Sequence, residues 1–194
     1  MSAIGFELEE IQGIRLLRLV SDDGTNRLTR KVVLALIEAI SEMANQDRPL
    51  VIAGNERFFS AGADLREIAA LDAPSAYAFS KMGQALMSEI ENFPAPVDAA
   101  ISGYCMGGGL DLALACRHRI ASGHAVFGHR GAALGLITGW GGTQRLPRLI
   151  GRAAALQIFV AAEKLGGSQA LRIGLVDAIA DDPVAETIRR IHAS

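Results

Sequence analysis

Apolar positions along this chain recur with two different spacings, and the changes between them mark out the elements. "IGFELEE" (4–10) and "IRLLRLV" (14–20) are short apolar-rich runs on either side of Gln12-Gly13, which predicts two strands joined as a hairpin. "SDDGTNRL" reads as a polar loop. From Thr29, a residue type suited to an N-cap, "RKVVLALIEAISEMANQ" places Val33, Leu36, Ile37 and Ile40 on one helical face. "PLVIAG" predicts a buried strand ending at a glycine, and "NERFFSAGAD" a loop. A long helix is expected from Pro74 to Phe93, stopped by Pro94 and Pro96. "VDAAISG" is the next strand and runs straight into a glycine cluster, after which "GLDLALAC" reads as a helix. "RHRIAS" and "AVFGH" are short extended pieces, followed by helices over Gly142–Ile150 and Arg152–Glu163. "GLVDAIA" suggests a strand and "PVAETIRRIHA" a terminal helix. Repeated strand–helix alternation makes α/β with largely parallel pairing the expected class.

Composition narrows the function classes. The 194 residues suit one domain over 1–194, and no linker divides them. Half the residues are hydrophobic and the mean hydropathy is +0.26, enough for a sizeable core. A net charge of −2 argues against a nucleic-acid partner, which calls for a basic stripe. "MSAIGFELEEIQ" has neither a basic nor an apolar leader region, and "AAALQIFVAA" is about half the ~20 residues a membrane span requires. No membrane association is expected. Two cysteines, Cys105 and Cys116, make no disulfide framework and fit a reducing, cytoplasmic setting.

Two glycine- and alanine-rich stretches carry candidate chemistry. In "GYCMGGGLD" (103–111), Gly107, Gly108 and Gly109 lie between a strand and a helix. The first N–H groups of a helix lack internal partners and carry partial positive charge, and bare glycines let an oxygen approach them. Neither a G-x-x-x-x-G-K-[ST] loop nor a G-x-G-x-x-G fingerprint is present, because Leu112 stands at the third glycine position. An oxyanion hole and a structural tight turn remain as readings. The same stretch contains G-x-C-x-G, the local pattern of a nucleophile elbow with Cys105 as nucleophile, for which Asp177 and His192 would supply the later acid and histidine. A buried structural cysteine is the competing reading. In "RFFSAGADL" (57–65), Phe58 and Phe59 can anchor a loop whose Ala61, Gly62 and Ala63 backbone faces a ligand, or Asp64 simply caps the next helix.

"FFSAGADL", "GYCMGGGLDLALAC", "GWGGTQRLPRLIG" and "ALRIGLVDAI" occur in that order over most of the chain. Together they resemble the crotonase superfamily, the enoyl-CoA hydratase/isomerase group. The resemblance implies a spiral of ββα units with small sheets and surrounding helices. It also implies a coenzyme A thioester as substrate, with no prosthetic group and no metal. On this sequence the backbone N–H groups of Ala63 and Gly108 would form the oxyanion hole. Ala61, Gly62 and Ala63 would line the cofactor, with the Ala61 and Ala63 carbonyls toward its adenine. Arg27, Arg30 and Arg57 are candidates for its phosphates.

The chain departs from the family pattern at the acid/base positions. The helical glutamate of the hydratases corresponds to Asp111, and the second glutamate corresponds to Gly131 in "FGHRGAALG", which has no proton to transfer. Asp111 is the expected acid/base, with a solvated or helix-start aspartate as the alternative. His129 beside the missing glutamate is a second candidate, against a structural histidine. Trp140 is expected to pack near the acyl pocket, and His118 and His124 to be structural. Relatives generally continue with further helices. Residues 183–194 are therefore read as a reduced C-terminal segment, and the homo-oligomer of the family, a trimer or hexamer, as a weaker expectation. The expected function is an enoyl-CoA hydratase/isomerase-like enzyme stabilising a thioester enolate. The alternatives are a non-catalytic CoA-thioester binder and a cysteine-dependent α/β-hydrolase-type esterase.

Overall fold

The structure, a computed structural model, describes residues 5–193. The expected first strand begins at Ile4, which lies outside the described residues, as do the other ends of the 1–194 span. The strands are β1 (Phe6–Ile11), β2 (Ile14–Leu19), β3 (Arg27–Leu28), β4 (Leu50–Ala53), β5 (Phe58–Ser60), β6 (Gly62–Ala63), β7 (Val97–Ile101), β8 (Tyr104–Met106), β9 (Arg119–Ala121), β10 (Val126–Gly128), β11 (Leu165–Gly166) and β12 (Ala178–Ile179). The helices are α1 (Arg30–Met43), α2 (Leu65–Ala69), α3 (Ala73–Glu91), α4 (Gly108–Ala115), α5 (Gly142–Ile150), α6 (Arg152–Ala161), α7 (Gly167–Arg172) and α8 (Pro183–His192).

A six-stranded sheet runs β1-β2-β4-β7-β9-β12, parallel except for the β1/β2 hairpin. Gln12 and Gly13 both have positive φ, 53° and 80°, the left-handed pair that a two-residue hairpin turn needs. β2 and β4 are nearly continuous apolar runs because both faces of the sheet are covered. Leu17, Leu19, Leu50 and Ile52 enter the main core, whereas Ile14, Leu16, Val51 and Ala53 meet Ile188 of α8 on the other face. α8 thus packs against the sheet. Thr29 caps α1 through the Val32 N–H, and Asp72 caps α3 in a reciprocal box with Ser75.

A second sheet, β11-β10-β8-β5, and the short parallel pair β3-β6 build the side of the molecule that carries the glycine-rich turns. Here the sequence expectations need correction. The loop predicted at 55–64 contains β5 and β6, and β8 intervenes between β7 and the glycines. Both corrections have one cause: two- and three-residue strands are too short to show a period. "GLVDAIA" likewise contributes only Ala178–Ile179 to the sheet, because Gly174 at φ 76° follows α7 closely.

Candidate active site

The two turns flagged in the sequence meet. β5 and β6 are held by polar contacts to the preceding loop. The buried Asn26 amide donates to the carbonyls of Phe58 and Phe59 at 2.9 and 3.2 Å. The Ser60 hydroxyl donates to the Asn26 carbonyl at 2.7 Å and accepts from Gly62 N–H at 3.1 Å. Across from β6, Gly107 adopts φ 51°, ψ −121°, a conformation open mainly to glycine, and turns β8 into α4. Its N–H is donated to the Gly128 carbonyl at 2.9 Å. The backbones approach so closely that a methyl on Gly62, itself at φ 89°, would lie 2.6 Å from the Met106 carbonyl oxygen and 2.9 Å from Gly108 N. A methyl on Gly108 would lie 3.4 Å from Ala63 N. Gly108 opens α4, so its N–H has no acceptor within that helix.

These two turns border a cavity of about 590 Å³. Its apolar wall includes Leu65, Ile68, Leu71, Phe79, Leu136 and Ile137, and its polar end includes Asp111, His129 and Thr138. Trp140 packs as expected beside this space: its indole stacks near Phe79 at 5.3 Å between ring centroids and donates to the Phe79 carbonyl at 3.3 Å. Gly83 of α3 and Gly108 leave room for that indole. A smaller recess of about 190 Å³, whose charged lining is Arg27, Asp64 and Arg66, shares Ala61 and Ala63 with the main cavity. Arg27 also pairs with Asp23 at 2.9 Å, and the Arg30 guanidinium sits 5.9 Å from the Phe79 ring centroid. Arg57 is exposed. No residue of α8 lines the main cavity.

Asp111 is 1% exposed, so the solvated-aspartate reading is replaced by a buried one. It sits in the first turn of α4, where the helix N-terminus favours negative charge. Its Oδ2 accepts a hydrogen bond from the Thr138 hydroxyl. Its Oδ1 lies 3.2 Å from His129 Nε2, close enough for an ion pair with a protonated imidazole but not aligned as a hydrogen bond. His129 is 4% exposed, and its ring packs 5.2 Å from that of Phe159 in α6. Oδ1 and Nε2 are therefore two buried polar atoms without hydrogen-bond partners, both on residues that line the cavity. Gly131 carries no side chain, and a methyl there would lie 2.7 Å from the Leu136 carbonyl oxygen. Thr138 was not a sequence candidate. It stands 27 positions from Asp111 in a turn with no chemical signature of its own.

The cysteine-nucleophile reading is overturned. Cys105 lies within β8, is fully buried, and directs its thiol toward the Gly109 carbonyl at 3.5 Å. Burial, with smaller contributions from Cys116 and Asp111, pushes this thiol well above the ordinary range, away from a reactive thiolate. Asp177 is engaged by Arg119, and His192 is exposed at the end of α8. His118 accompanies Asp98 at 3.1 Å, and His124 contacts the Glu56 carbonyl at 3.2 Å, both structural placements. Asp64 caps α2 through the Arg66 N–H at 2.7 Å. Among the described residues, no group of three or more His, Cys, Asp or Glu side chains could hold a metal ion, and no helix is long and apolar enough to cross a membrane.

Residues 9–193 match the family described as Enoyl-CoA hydratase/isomerase. A "probable enoyl-CoA hydratase" of Bacillus subtilis is 37% identical over the whole of this chain, which covers 74% of that protein. A crotonyl-CoA hydratase of Syntrophomonas wolfei is 37% identical over 89% of the chain and 67% of the relative. In three dimensions the enoyl-CoA hydratase of Thermoplasma volcanium superposes with a TM-score of 0.93 at 33% identity, covering 98% of this chain and 77% of that one.

Proposed function

Because the chain belongs to the enoyl-CoA hydratase/isomerase family, and so to the crotonase superfamily, we propose that it binds an acyl-CoA thioester and moves a proton at the carbon next to the thioester carbonyl. The observation that carries this reading is the meeting of Gly62–Ala63 with Gly108 beside the buried, unpaired Oδ1 of Asp111. The thioester oxygen sits between the N–H groups of Ala63 and Gly108. When the α-carbon–hydrogen bond breaks, its electron pair passes into the carbonyl and the oxygen becomes an enolate. Fixed donors at that oxygen lower the barrier, each by about 2.7–4 kcal/mol.

The released proton goes to Asp111, and Oδ1 is the atom free to take it. His129 Nε2, 3.2 Å away, shares that proton or passes it on. Returning it to a different carbon isomerises the double bond. Adding water runs the proton the other way. His129, in place of the side chain Gly131 lacks, takes a proton from water as the water oxygen bonds the β-carbon. The double-bond electrons pass into the thioester carbonyl, and Asp111 delivers a proton to the α-carbon as the enolate collapses. The pantetheine end runs along Ala61–Ala63, which border both the main cavity and the recess beside Arg27 and Arg66. The exposed apolar side chains Leu156, Val160 and Leu171 fit a homo-oligomer, and two free cysteines fit the cytoplasm.

Incubation with crotonyl-CoA and a 3-enoyl-CoA in heavy water, followed by mass spectrometry, tests the proposal. Deuterium uptake with hydrated or isomerised product, lost in Asp111→Ala, supports it and separates the two reactions. Tight coenzyme A binding without uptake or turnover would instead favour a non-catalytic thioester binder.

A further inference from the structure

Asp111 is a short side chain, and its carboxylate can rotate about a soft terminal torsion. Two features outside α4 remove that freedom. The backbone N–H of Trp140 donates to the Thr138 hydroxyl at 3.5 Å, and the hydroxyl donates in turn to Asp111 Oδ2. On the opposite side, Gly142, the first residue of α5, presses a bare α-carbon against the other oxygen. A methyl on Gly142 would overlap Oδ1, and would lie 3.0 Å from Thr138 Cγ2 and 3.1 Å from His129 Nε2. The start of α5 thereby closes the space on that side of the carboxylate.

We infer that Thr138 is a positioning residue: its hydroxyl engages Oδ2 so that Oδ1 stays the unpaired oxygen, held beside His129 Nε2. The inference rests on the reading of Asp111 as the proton carrier. A hydroxyl has one proton to donate, and here it is spent on Oδ2. The carboxylate is thereby divided into one satisfied oxygen and one unsatisfied oxygen, both buried. Valine at this position has nearly the same shape and lacks the hydroxyl. It would leave Oδ2 unpaired as well, and the carboxylate would turn toward water or toward the Trp140 N–H. Serine retains the hydroxyl and loses only a methyl group.

The test compares wild type, Thr138→Val and Thr138→Ser by steady-state kinetics on the enoyl-CoA substrates and by crystal structures of the free proteins. Loss of a hydrogen bond to a charged group predicts a fall in kcat of about ten- to a hundredfold in T138V. KM should stay within about twofold, since valine keeps the shape of the cavity wall that Thr138 contributes, and T138S should restore most of the rate. The T138V structure should show Oδ1 moved away from its 3.2 Å approach to His129 Nε2. Unchanged kcat in T138V, a rise in KM alone, or failure of serine to rescue would overturn the inference. An unmoved carboxylate in T138V would overturn it as well. If wild type turns over no thioester and the carboxylate still moves in T138V, the positioning role stands and the proton-carrier reading falls. If neither occurs, both fall.

Discussion

Replacing Asp111 by asparagine separates a functional carboxylate from a structural one, because the two readings predict opposite signs for stability. Wild type buries Oδ1 and His129 Nε2 with no hydrogen bond on either atom. Each such group carries a desolvation cost of about 1–3 kcal/mol. In Asp111→Asn the amide oxygen still accepts from Thr138. Its NH₂ then stands 3.2 Å from Nε2 and donates to a neutral imidazole once a small rotation about the terminal torsion aligns the pair. A buried charge is removed and one hydrogen bond is gained. The expected change is a stabilisation of about 1–2 kcal/mol. At about 2–4 °C per kcal/mol for a domain of this size, Tm should rise by about 2–8 °C. An amide takes up no proton, so kcat should fall by about 10²–10⁴. Scanning calorimetry and the heavy-water exchange assay on the same preparation give both quantities. A Tm lowered by several degrees would refute the claim that Oδ1 is kept unpaired at a cost to stability. Turnover within about tenfold of wild type would refute Asp111 as the proton carrier.

Gly62→Ala should lose both activity and stability, since φ 89° is strained for alanine and its methyl would lie 2.9 Å from Gly108 N, one of the two proposed oxyanion donors. The loss of one donor alone predicts about 10²–10³ in kcat, measured against a Tm shift that reports the strain. Gly131→Glu should not create a hydratase with two working carboxylates, because a side chain there first meets the Leu136 carbonyl at 2.7 Å. Hydration of crotonyl-CoA should stay at or below the wild-type rate. Cys105 and Cys116 should resist thiol reagents in the native protein and react only on unfolding; one thiol equivalent titrating rapidly would contradict their burial. Burial also pushes the Cys116 thiol to about 12, opposed in part by Arg119. A thiol raised in the folded state contributes stability that is fully present below the ordinary value of about 8.5 and is lost as pH rises toward the folded value. Denaturant midpoints should therefore fall between these limits, and less so in a Cys116→Ala variant.

The sequence by itself determined the long amphipathic elements. α1 and α5 begin where predicted, and α3 and α8 lie within a residue or two of their predicted limits. Period and capping chemistry act within a few neighbouring residues, so they can be read without knowing the rest of the chain. The motif order likewise identified the family, and it located the Ala63 and Gly108 turns and the Asp111 position. What only tertiary structure decided was the set of short strands β5, β6, β8 and β11. Their pairing is a matter of neighbours far away in the chain and leaves no period in two or three residues. Tertiary structure also decided between the readings left open at Cys105 and Asp111. Cys105 is embedded in the four-stranded sheet, and Asp111 is buried against elements that begin 18 or more positions later, from His129 to Gly142. Thr138 had no signal at all, because a hydroxyl acquires its role only when folding brings a carboxylate within reach of its single proton.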